Sequence, residues 1–417
     1  MPLAHADKHA MFLAYASLLG TLLYLGLAVG TAWAGMTSKA AWDAMLYVYP
    51  SWLSTTKDSV LNPGNRVAAL SNSSWMGEAR LNVRLEDDRF RLTLRPLLSI
   101  PQEADGVSHP QGYLSQWQAR AVLSPTWTAS LGREVMNWGP SQFRSPASPF
   151  YFDNGRSNPL RELSGVDAAK LSWIPNRSRS LSMAYLQGSG HEAGRASPDP
   201  WRHTWLLHGD LRGDDWAGGL VLAQPQCRSL FVGTHLQWTV NDAWLIYGEA
   251  SSSRLPNALV SPADLGLPFA LQAESSRQSI GLIGATVTLE NGQSLSGEWL
   301  RDNHGYPPPE SQSYFARAAT NMASAGLALA EAPPLLNRNY LHLVWQNNLL
   351  DGDDYWRFMF TRNLDDDSSA IAGYFEQPLD NRLVLFVMGV VNVGGPRREW
   401  SSLIENSLTL GLRLALP

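Results

Sequence analysis

The sequence contains one cysteine, Cys227, in 417 residues. A single thiol excludes a disulfide framework and a zinc site built from several thiolates. Charged residues are also scarce, at 17%, and the 32 basic residues are outnumbered by 37 acidic ones. Proteins that bind nucleic acid through its phosphates are usually basic, so we predict no nucleic-acid partner. The hydrophobic content of 44% is too high for a disordered chain.

Recognisable catalytic motifs are missing as well. The sequence has neither the G-x-S-x-G of serine hydrolases nor the H-E-x-x-H of zinc peptidases, and its nine histidines are scattered. His203, His208 and His235 lie near serines and acids, which keeps a hydrolase open as a third alternative. Asp365–Asp367 is interpreted as an acidic turn rather than a calcium site. We therefore predict no enzymatic activity, no metal and no cofactor.

The N-terminal residues have the pattern of a signal peptide. Residues 11–30, MFLAYASLLGTLLYLGLAVG, form an apolar run without charge that precedes Ala32-Trp33-Ala34. This order predicts a signal peptide over residues 1–34 and a mature chain over residues 35–417. An uncleaved membrane anchor is the alternative, because the run is longer than the usual signal core. No later segment approaches the roughly 20 apolar residues of a membrane-spanning helix. An exported chain with almost no cysteine fits the Gram-negative envelope better than the eukaryotic secretory route.

Apolar and polar residues alternate along much of the remaining chain. In residues 78–86, Ala79, Leu81 and Leu85 fall on one face, and Arg80 and other polar residues fall on the opposite face. A period of two predicts β-strands. Asn291-Gly292, which follows another alternating run, predicts a two-residue hairpin turn.

We predict about 18 strands whose connections alternate between short turns, such as Asp87-Asp88, and long loops, such as 137–165 and 302–337. This parity is typical of outer-membrane barrels, whereas a soluble β-sandwich has no reason to keep it. The predicted fold class is an all-β transmembrane antiparallel β-barrel of about 18 strands, in the outer membrane of a Gram-negative bacterium. An Ala-rich stretch at 317–331 is predicted to form a short helix or a lid. The predicted strands lie near residues 43–50, 74–85, 89–99, 113–124, 126–136, 166–174, 180–188, 202–212, 215–223, 228–239, 242–252, 275–290, 293–301, 338–350, 354–363, 368–377, 381–393 and 404–416.

Tryptophan is frequent, with 17 residues, and many of these lie at the ends of predicted strands. In a membrane barrel such residues form girdles at the two lipid interfaces. The predicted partners are therefore outer-membrane lipid, lipopolysaccharide and the barrel-assembly machinery. The predicted girdle residues are Trp127, Trp173, Trp201, Trp205, Trp216, Trp238, Trp244, Trp299, Trp345, Trp356 and Trp400.

If the apolar faces contact lipid, the polar faces line the lumen. Arginines concentrate on the inward face of three consecutive predicted strands, where they would form a positive wall that attracts carboxylate or phosphate groups. The alternative is a solvated or salt-bridged lumen without a specific ligand, because acidic residues such as Glu78 and Glu298 share these faces. The candidate wall residues are Arg80, Arg84, Arg91, Arg95 and Arg120.

The segment 132–167 is the most distinctive stretch, because it combines aromatic residues and arginines with turn-forming Pro and Gly. A loop of this length between barrel strands is expected to fold inward as a constriction or outward as a binding surface. Aromatic faces stack on sugar rings, so a carbohydrate site is one interpretation. A packed structural loop that closes the barrel is the other. The candidate ligand residues are Arg133, Trp138, Arg144, Tyr151, Arg156, Arg161 and Glu162.

Three parts of this segment carry a family resemblance: Gly132-Arg133, Trp138-Gly139-Pro140 and Asn158-Pro159-Leu160. Together they resemble a pattern of the capsule-assembly outer-membrane lectin family, in which a glycine stands at the position of Ser141. The resemblance spans about 35 residues and implies a large barrel that tethers surface polysaccharide. We therefore predict a barrel that binds or passes surface polysaccharide during capsule or exopolysaccharide assembly or export. The alternative is a general or anion-preferring diffusion porin, and an outer-membrane hydrolase is the third possibility.

Overall fold

A computed structural model describes residues 39–103, 110–190, 199, 201–226, 228–348 and 354–416. The predicted signal peptide and Cys227 lie outside the described residues. Within those ranges, no helix is long and apolar enough to cross a membrane.

Eighteen strands form one antiparallel sheet in which each strand pairs with its neighbour in the chain, and the last strand pairs with the first. Pairing of Leu46 with Leu414 and of Val48 with Leu412 belongs to this closing seam. The barrel strands are β1 (Lys39–Thr55), β2 (Ser73–Glu86), β3 (Phe90–Glu103), β4 (Gln111–Ser124), β5 (Trp127–Glu134), β6 (Val166–Asn176), β7 (Arg179–Gly188), β8 (Thr204–Arg212), β9 (Trp216–Pro225), β10 (Phe231–Thr239), β11 (Trp244–Ser253), β14 (Gln278–Thr288), β15 (Ser294–Asp302), β16 (Asn339–Gln346), β17 (Tyr355–Asn363), β18 (Ser369–Pro378), β19 (Leu383–Val393) and β20 (Ile404–Leu416).

The predicted fold is confirmed, because the chain forms a closed antiparallel barrel with strands in the predicted order. The connection between β11 and β14 holds a separate hairpin of β12 (Pro256–Val260) and β13 (Ala270–Glu274), where a loop was predicted. The connection between β15 and β16 forms two helices, α1 (Pro308–Ala318) and α2 (Met322–Glu331), where one short helix or a lid was predicted.

The connections differ in length at the two ends of the barrel, as predicted. Short turns such as 87–89 and 213–215 lie at one end, and loops such as 56–72, 135–165 and 303–338 lie at the other. We call these the short-turn end and the long-loop end. In outer-membrane barrels the short turns face the periplasm. At the long-loop end, α1 and α2 pack on neighbouring loops through a buried apolar cluster that consists of Leu61, Leu259, Tyr306, Tyr314, Phe315, Ala318, Ala328 and Leu336.

The side chains of each strand alternate between the lumen and the outer surface. On β2, Arg80 donates a hydrogen bond to the carbonyl oxygen of Leu160, which belongs to the loop between β5 and β6. Arg80 therefore faces the lumen, and Leu81 faces outward. Eight of the eleven predicted girdle tryptophans have exposed side chains, at 39–52%. Two predictions were wrong, because Trp201 packs on Phe150 and Trp400 lies against Phe143.

Candidate pore constriction

The loop between β5 and β6 folds into the barrel, and we call residues 135–165 the constriction loop. β5 and β6 are neighbours in the sheet, yet the loop bonds to Glu249 on β11 and Glu298 on β15. Both glutamates have the parity of inward-facing residues, and their side chains are buried at 3% and 2% exposure. The loop therefore reaches across the lumen to a distant part of the wall.

Glu249 anchors the constriction loop at Ser141, Ser145 and Ala147. Its carboxylate accepts hydrogen bonds from the backbone N–H of Ser141 at 2.9 Å and of Ala147 at 3.1 Å, and from the hydroxyl of Ser145 at 2.7 Å. A buried carboxylate is costly unless donors surround it, and hydrogen bonds to a charged acceptor are the stronger kind. The three donors therefore stabilise the charge and fix the loop in one position.

Glu298 holds the adjacent residues in the same way. Its oxygens accept from the backbone N–H of Gln142 at 2.5 Å and of Phe143 at 2.9 Å. The hydroxyl of Tyr247 donates to the same carboxylate at 2.7 Å. Consecutive backbone amides from 141 to 143 are thus divided between two wall carboxylates.

Gly139 is required by this anchoring. Its φ of +92° is one that side-chain-bearing residues rarely adopt, and a Cβ atom there would lie 2.2 Å from Oε1 of Glu249. The Trp138-Gly139-Pro140 motif therefore has a local structural reason, which is the close approach of the backbone to a wall carboxylate. Ser141 is fully buried, and its carbonyl oxygen accepts hydrogen bonds from Asn154 and Arg156.

The aromatic candidates of the loop are engaged in internal contacts. Trp138 stacks on His208 with ring centroids 4.6 Å apart. Tyr151 is buried and donates to the carbonyl oxygen of Ser164 at 2.5 Å. Phe143, which was not among the candidates, stacks on His342 at 4.9 Å. These contacts agree with the packed structural loop that was the alternative interpretation.

The charged candidates of the loop are engaged by neighbouring polar groups. Asp153 lies between Arg144, at 3.6 Å, and Arg161, at 2.8 Å. The guanidinium of Arg144 also covers the ring of Phe143, and burial lowers the pKa of Arg144. Glu162 accepts from the hydroxyl of Ser115 at 3.1 Å.

Arg156 and Arg133 differ from this group. Arg156 donates to carbonyl oxygens of Ser141, at 2.5 Å, and Gly139, at 3.3 Å, and has no acidic partner among the described residues. Arg133 belongs to β5 and has the parity of the outward face, where it pairs with Asp167 at 2.8 Å. The expectation that Arg133 lies in the lumen was therefore wrong. Leu131, two positions earlier, shares its face and is 56% exposed.

The five arginines predicted as a wall lie on the inward face of β2, β3 and β4. Arg80 is neutralised, because it bonds to Glu78 and lies 3.4 Å from Glu162. Arg91 stands opposite Arg120 in the sheet register and pairs with Glu86 at 2.5 Å. The other three arginines, Arg84, Arg95 and Arg120, form no ion pair within the part of the chain that the structure describes. In addition, the buried Nε of Arg95 has no hydrogen-bond partner there.

Open space remains between the constriction loop and this part of the wall. A cavity of about 620 Å³ adjoins the loop residues Leu160, Arg161 and Glu162. Its other walls come from β1 to β4 and from β19 and β20. The cavity mixes carboxylates with aromatic and thioether side chains that include Tyr49, Glu78, Met76, Tyr113 and Met388. This cavity is the open space beside the loop on the arginine side of the barrel.

The anchoring role of Glu249 and Glu298 was not predicted from the sequence. Alternation placed both residues inward, but only as charges opposite to the arginines. One signal could have indicated this role. Glu249 is the only charged residue of its strand and lies among small and apolar residues in the YGEAS segment. Within the described residues, no cluster of histidine, cysteine, aspartate or glutamate could hold a metal ion.

No protein-family model matches the chain, and no curated protein matches its sequence. Solved structures do match. OccK11 (OpdR) of Pseudomonas aeruginosa is 13% identical with a TM-score of 0.56, over 91% of this chain and 96% of that chain. OpdQ of the same organism is 10% identical with a TM-score of 0.55, over 92% and 99%. OprD of that organism is 8% identical with a TM-score of 0.51, over 91% and 95%.

At these identities the matches establish the fold, which is a closed 18-stranded antiparallel barrel that matches outer-membrane channels. The likeness is to channels and not to enzymes. It gives no support to the capsule-assembly lectin family.

Proposed function

We propose that the protein is a diffusion channel of the outer membrane that prefers small anionic solutes. The observation that carries this proposal is the set of inward-facing arginines without an ion-pair partner among the described residues, Arg84, Arg95 and Arg120. They line one side of a lumen that the constriction loop narrows. Charged rings and rows along a pore favour ions of the opposite sign, and arginine keeps its charge at any physiological pH.

Arg80 and the unpaired Arg84 and Arg120 differ in their position along the pore. Arg80 lies beside the constriction loop and is balanced by Glu78 and Glu162. Arg84 and Arg120 lie nearer to the short-turn end of their strands. The positive potential therefore extends from the loop toward the periplasmic end, and a solute that has passed the loop meets cations that form no ion pair with a described carboxylate.

The alternative of a polysaccharide-handling barrel is less well supported. It depended on aromatic faces that stack on sugars, and Trp138 and Tyr151 instead make contacts inside the protein. The comparisons also favour a channel over a polysaccharide function. Glycan binding at the loop would require these side chains to leave their present positions.

Ion selectivity in a planar bilayer tests the proposal. A single charge about 8 Å from a passing ion in water changes its energy by roughly 0.5 kcal/mol, which is about a twofold change in local concentration. We expect a reversal potential of anion-preferring sign across a KCl gradient. The anion-to-cation permeability ratio should be about fourfold lower in Arg120→Gln, because loss of the charge lowers the local anion concentration and raises the local cation concentration by about twofold each. Arg84→Gln combined with Arg120→Gln should lower it further.

Arg362→Gln is the matched control, because Arg362 has outward parity on β17 and forms an exposed ion pair with Asp367. It removes the same charge from outside the lumen and should leave the ratio unchanged. A cation-preferring wild-type channel, or equal ratios in the wild type and the double variant, would contradict the proposal.

A further inference from the structure

A separate cavity lies beneath the constriction loop, toward the short-turn end. Its volume is about 410 Å³, which is within the range of small-molecule sites. Gly139, Pro140 and Arg156 of the loop form one side. The ends of β6 to β10 and the turn that holds Arg177 form the other sides. These strands belong to a different part of the wall from β2 to β4, so this cavity is distinct from the arginine wall described above.

The cavity is strongly positive. Three arginines from the loop, a short turn and the inward face of β8 line it, and none of the three lies within ion-pair distance of a carboxylate in the described ranges. The lining includes one carboxylate, Asp210, which accepts a hydrogen bond from Ser180 at 3.2 Å and lies 3.2 Å from Nε2 of His208. The charge of Asp210 is therefore engaged by its own neighbours. The three lining arginines are Arg156, Arg177 and Arg212; Arg179 also adjoins the cavity, but it pairs with the outward-facing Leu211.

The backbone brings two of these arginines together. The N–H of Arg212 donates to the carbonyl oxygen of Ser178 at 2.9 Å, so Arg212 lies beside the turn that carries Arg177. From the loop, Arg156 is held by its bonds to the carbonyls of Ser141 and Gly139, which fix its guanidinium at the roof of the cavity. His235, whose Nε2 lies 3.6 Å from Asp210, and Gln237 complete the lining on β10.

We propose that this cavity binds a small oxyanion that carries two negative charges, such as a phosphate group or a dicarboxylate. Guanidinium groups bind such oxygens with paired hydrogen bonds, and several guanidiniums around one cavity favour a doubly charged ligand over a singly charged one. The inference rests on the proposed anion channel, of which this cavity would be the last binding step before the periplasm. It adds a second site that the arginine wall does not provide.

Calorimetric titration of the folded, detergent-solubilised protein tests the site. The probes are inorganic phosphate at pH 8, succinate and acetate. We expect phosphate and succinate to bind at least tenfold more tightly than acetate. Arg177→Gln combined with Arg212→Gln should weaken phosphate binding at least tenfold. Arg382→Gln is the control, because Arg382 lies in another short turn, between β18 and β19, outside the cavity. It should leave the affinity within twofold of the wild type.

Circular dichroism shows whether the double variant is folded. If it is not, Arg212→Gln alone is compared with Arg212→Lys. The lysine variant should keep part of the affinity for phosphate. The proposal is overturned if phosphate does not bind the wild type, if acetate binds equally well, or if the arginine variants bind like the control. The bilayer measurement separates the two claims. An anion-preferring channel without a phosphate site would remove only this inference, whereas a channel without anion preference would remove the proposed function.

Discussion

Replacement of Gly139 by alanine should release the constriction loop from the wall. The residue has a φ of +92°, and the new Cβ atom would lie 2.2 Å from Oε1 of Glu249. Because two atoms cannot approach so closely, either the glutamate side chain or the loop has to move. Either movement breaks hydrogen bonds from Ser141, Ser145 and Ala147 to that carboxylate.

The size of the effect has two parts. A residue other than glycine in the left-handed region costs about 1–2 kcal/mol. Each hydrogen bond to a buried charged group contributes about 1.5–3 kcal/mol, so loss of one or two of the three, together with the backbone term, gives a total of roughly 2.5–8 kcal/mol. This penalty acts on the docking of the loop and not on the sheet, since the barrel strands keep all their backbone pairings. We therefore expect a folded barrel whose loop no longer occupies one fixed position.

Single-channel conductance and limited trypsin cleavage measure this outcome. The variant should show larger or fluctuating conductance steps and new cleavage after Arg144 or Arg156. Gly389→Ala is the matched control, because a Cβ at Gly389 on β19 would meet no atom within 4 Å. If Gly139→Ala gave the same conductance and the same protease resistance as Gly389→Ala, the anchoring role of Glu249 would be refuted.

Most of the fold could be predicted because strand alternation is a local property. A residue two positions away lies on the same face, so a short run such as 78–86 already distinguishes lumen from lipid. The same rule could have excluded Arg133, which shares the face of Leu131, and it correctly grouped Arg84 with the other wall arginines. The helices α1 and α2 were harder to predict, since their stability comes from packing on the neighbouring loops, including Leu61 and Leu259.

The candidate site could be predicted only in part, because its contacts join residues far apart in the chain. Glu298 accepts a hydrogen bond from the backbone N–H of Phe143, which lies 155 residues away in the chain. Nothing in either local pattern indicates this pairing. The Trp138-Gly139-Pro140 motif was interpreted through a family resemblance. In the structure its glycine is required because the backbone lies against the carboxylate of Glu249 on another strand. Aromatic and arginine residues in a loop are equally suited to bind sugars and to pack against a wall.

The remaining predictions concern one loop aromatic and one buried acid. Trp138→Ala should destabilise the docked loop by about 2 kcal/mol, because Trp138 is half-buried against His208, and should increase proteolysis of the loop; unchanged cleavage would contradict this role. Glu399, in the loop 394–403, is buried beside Asp366, and burial raises its pKa to about 7. Its carboxyl group is bonded to Tyr340, Asn363 and Leu336, so it joins three segments at the long-loop end. Since the folded pKa lies above the usual value of 4.5, the protonated form favours the docked loop, and this stabilisation is lost as pH rises from about 4.5 to 7. The shift corresponds to about 3 kcal/mol. Hydrogen exchange of residues 394–403, corrected for intrinsic rates, should therefore show more frequent opening at pH 8 than at pH 5. The Glu399→Gln variant should abolish the difference in opening frequency between the two pH values. If the wild-type loop opened equally often at both, Glu399 would ionise without cost in its buried position, which would contradict this prediction.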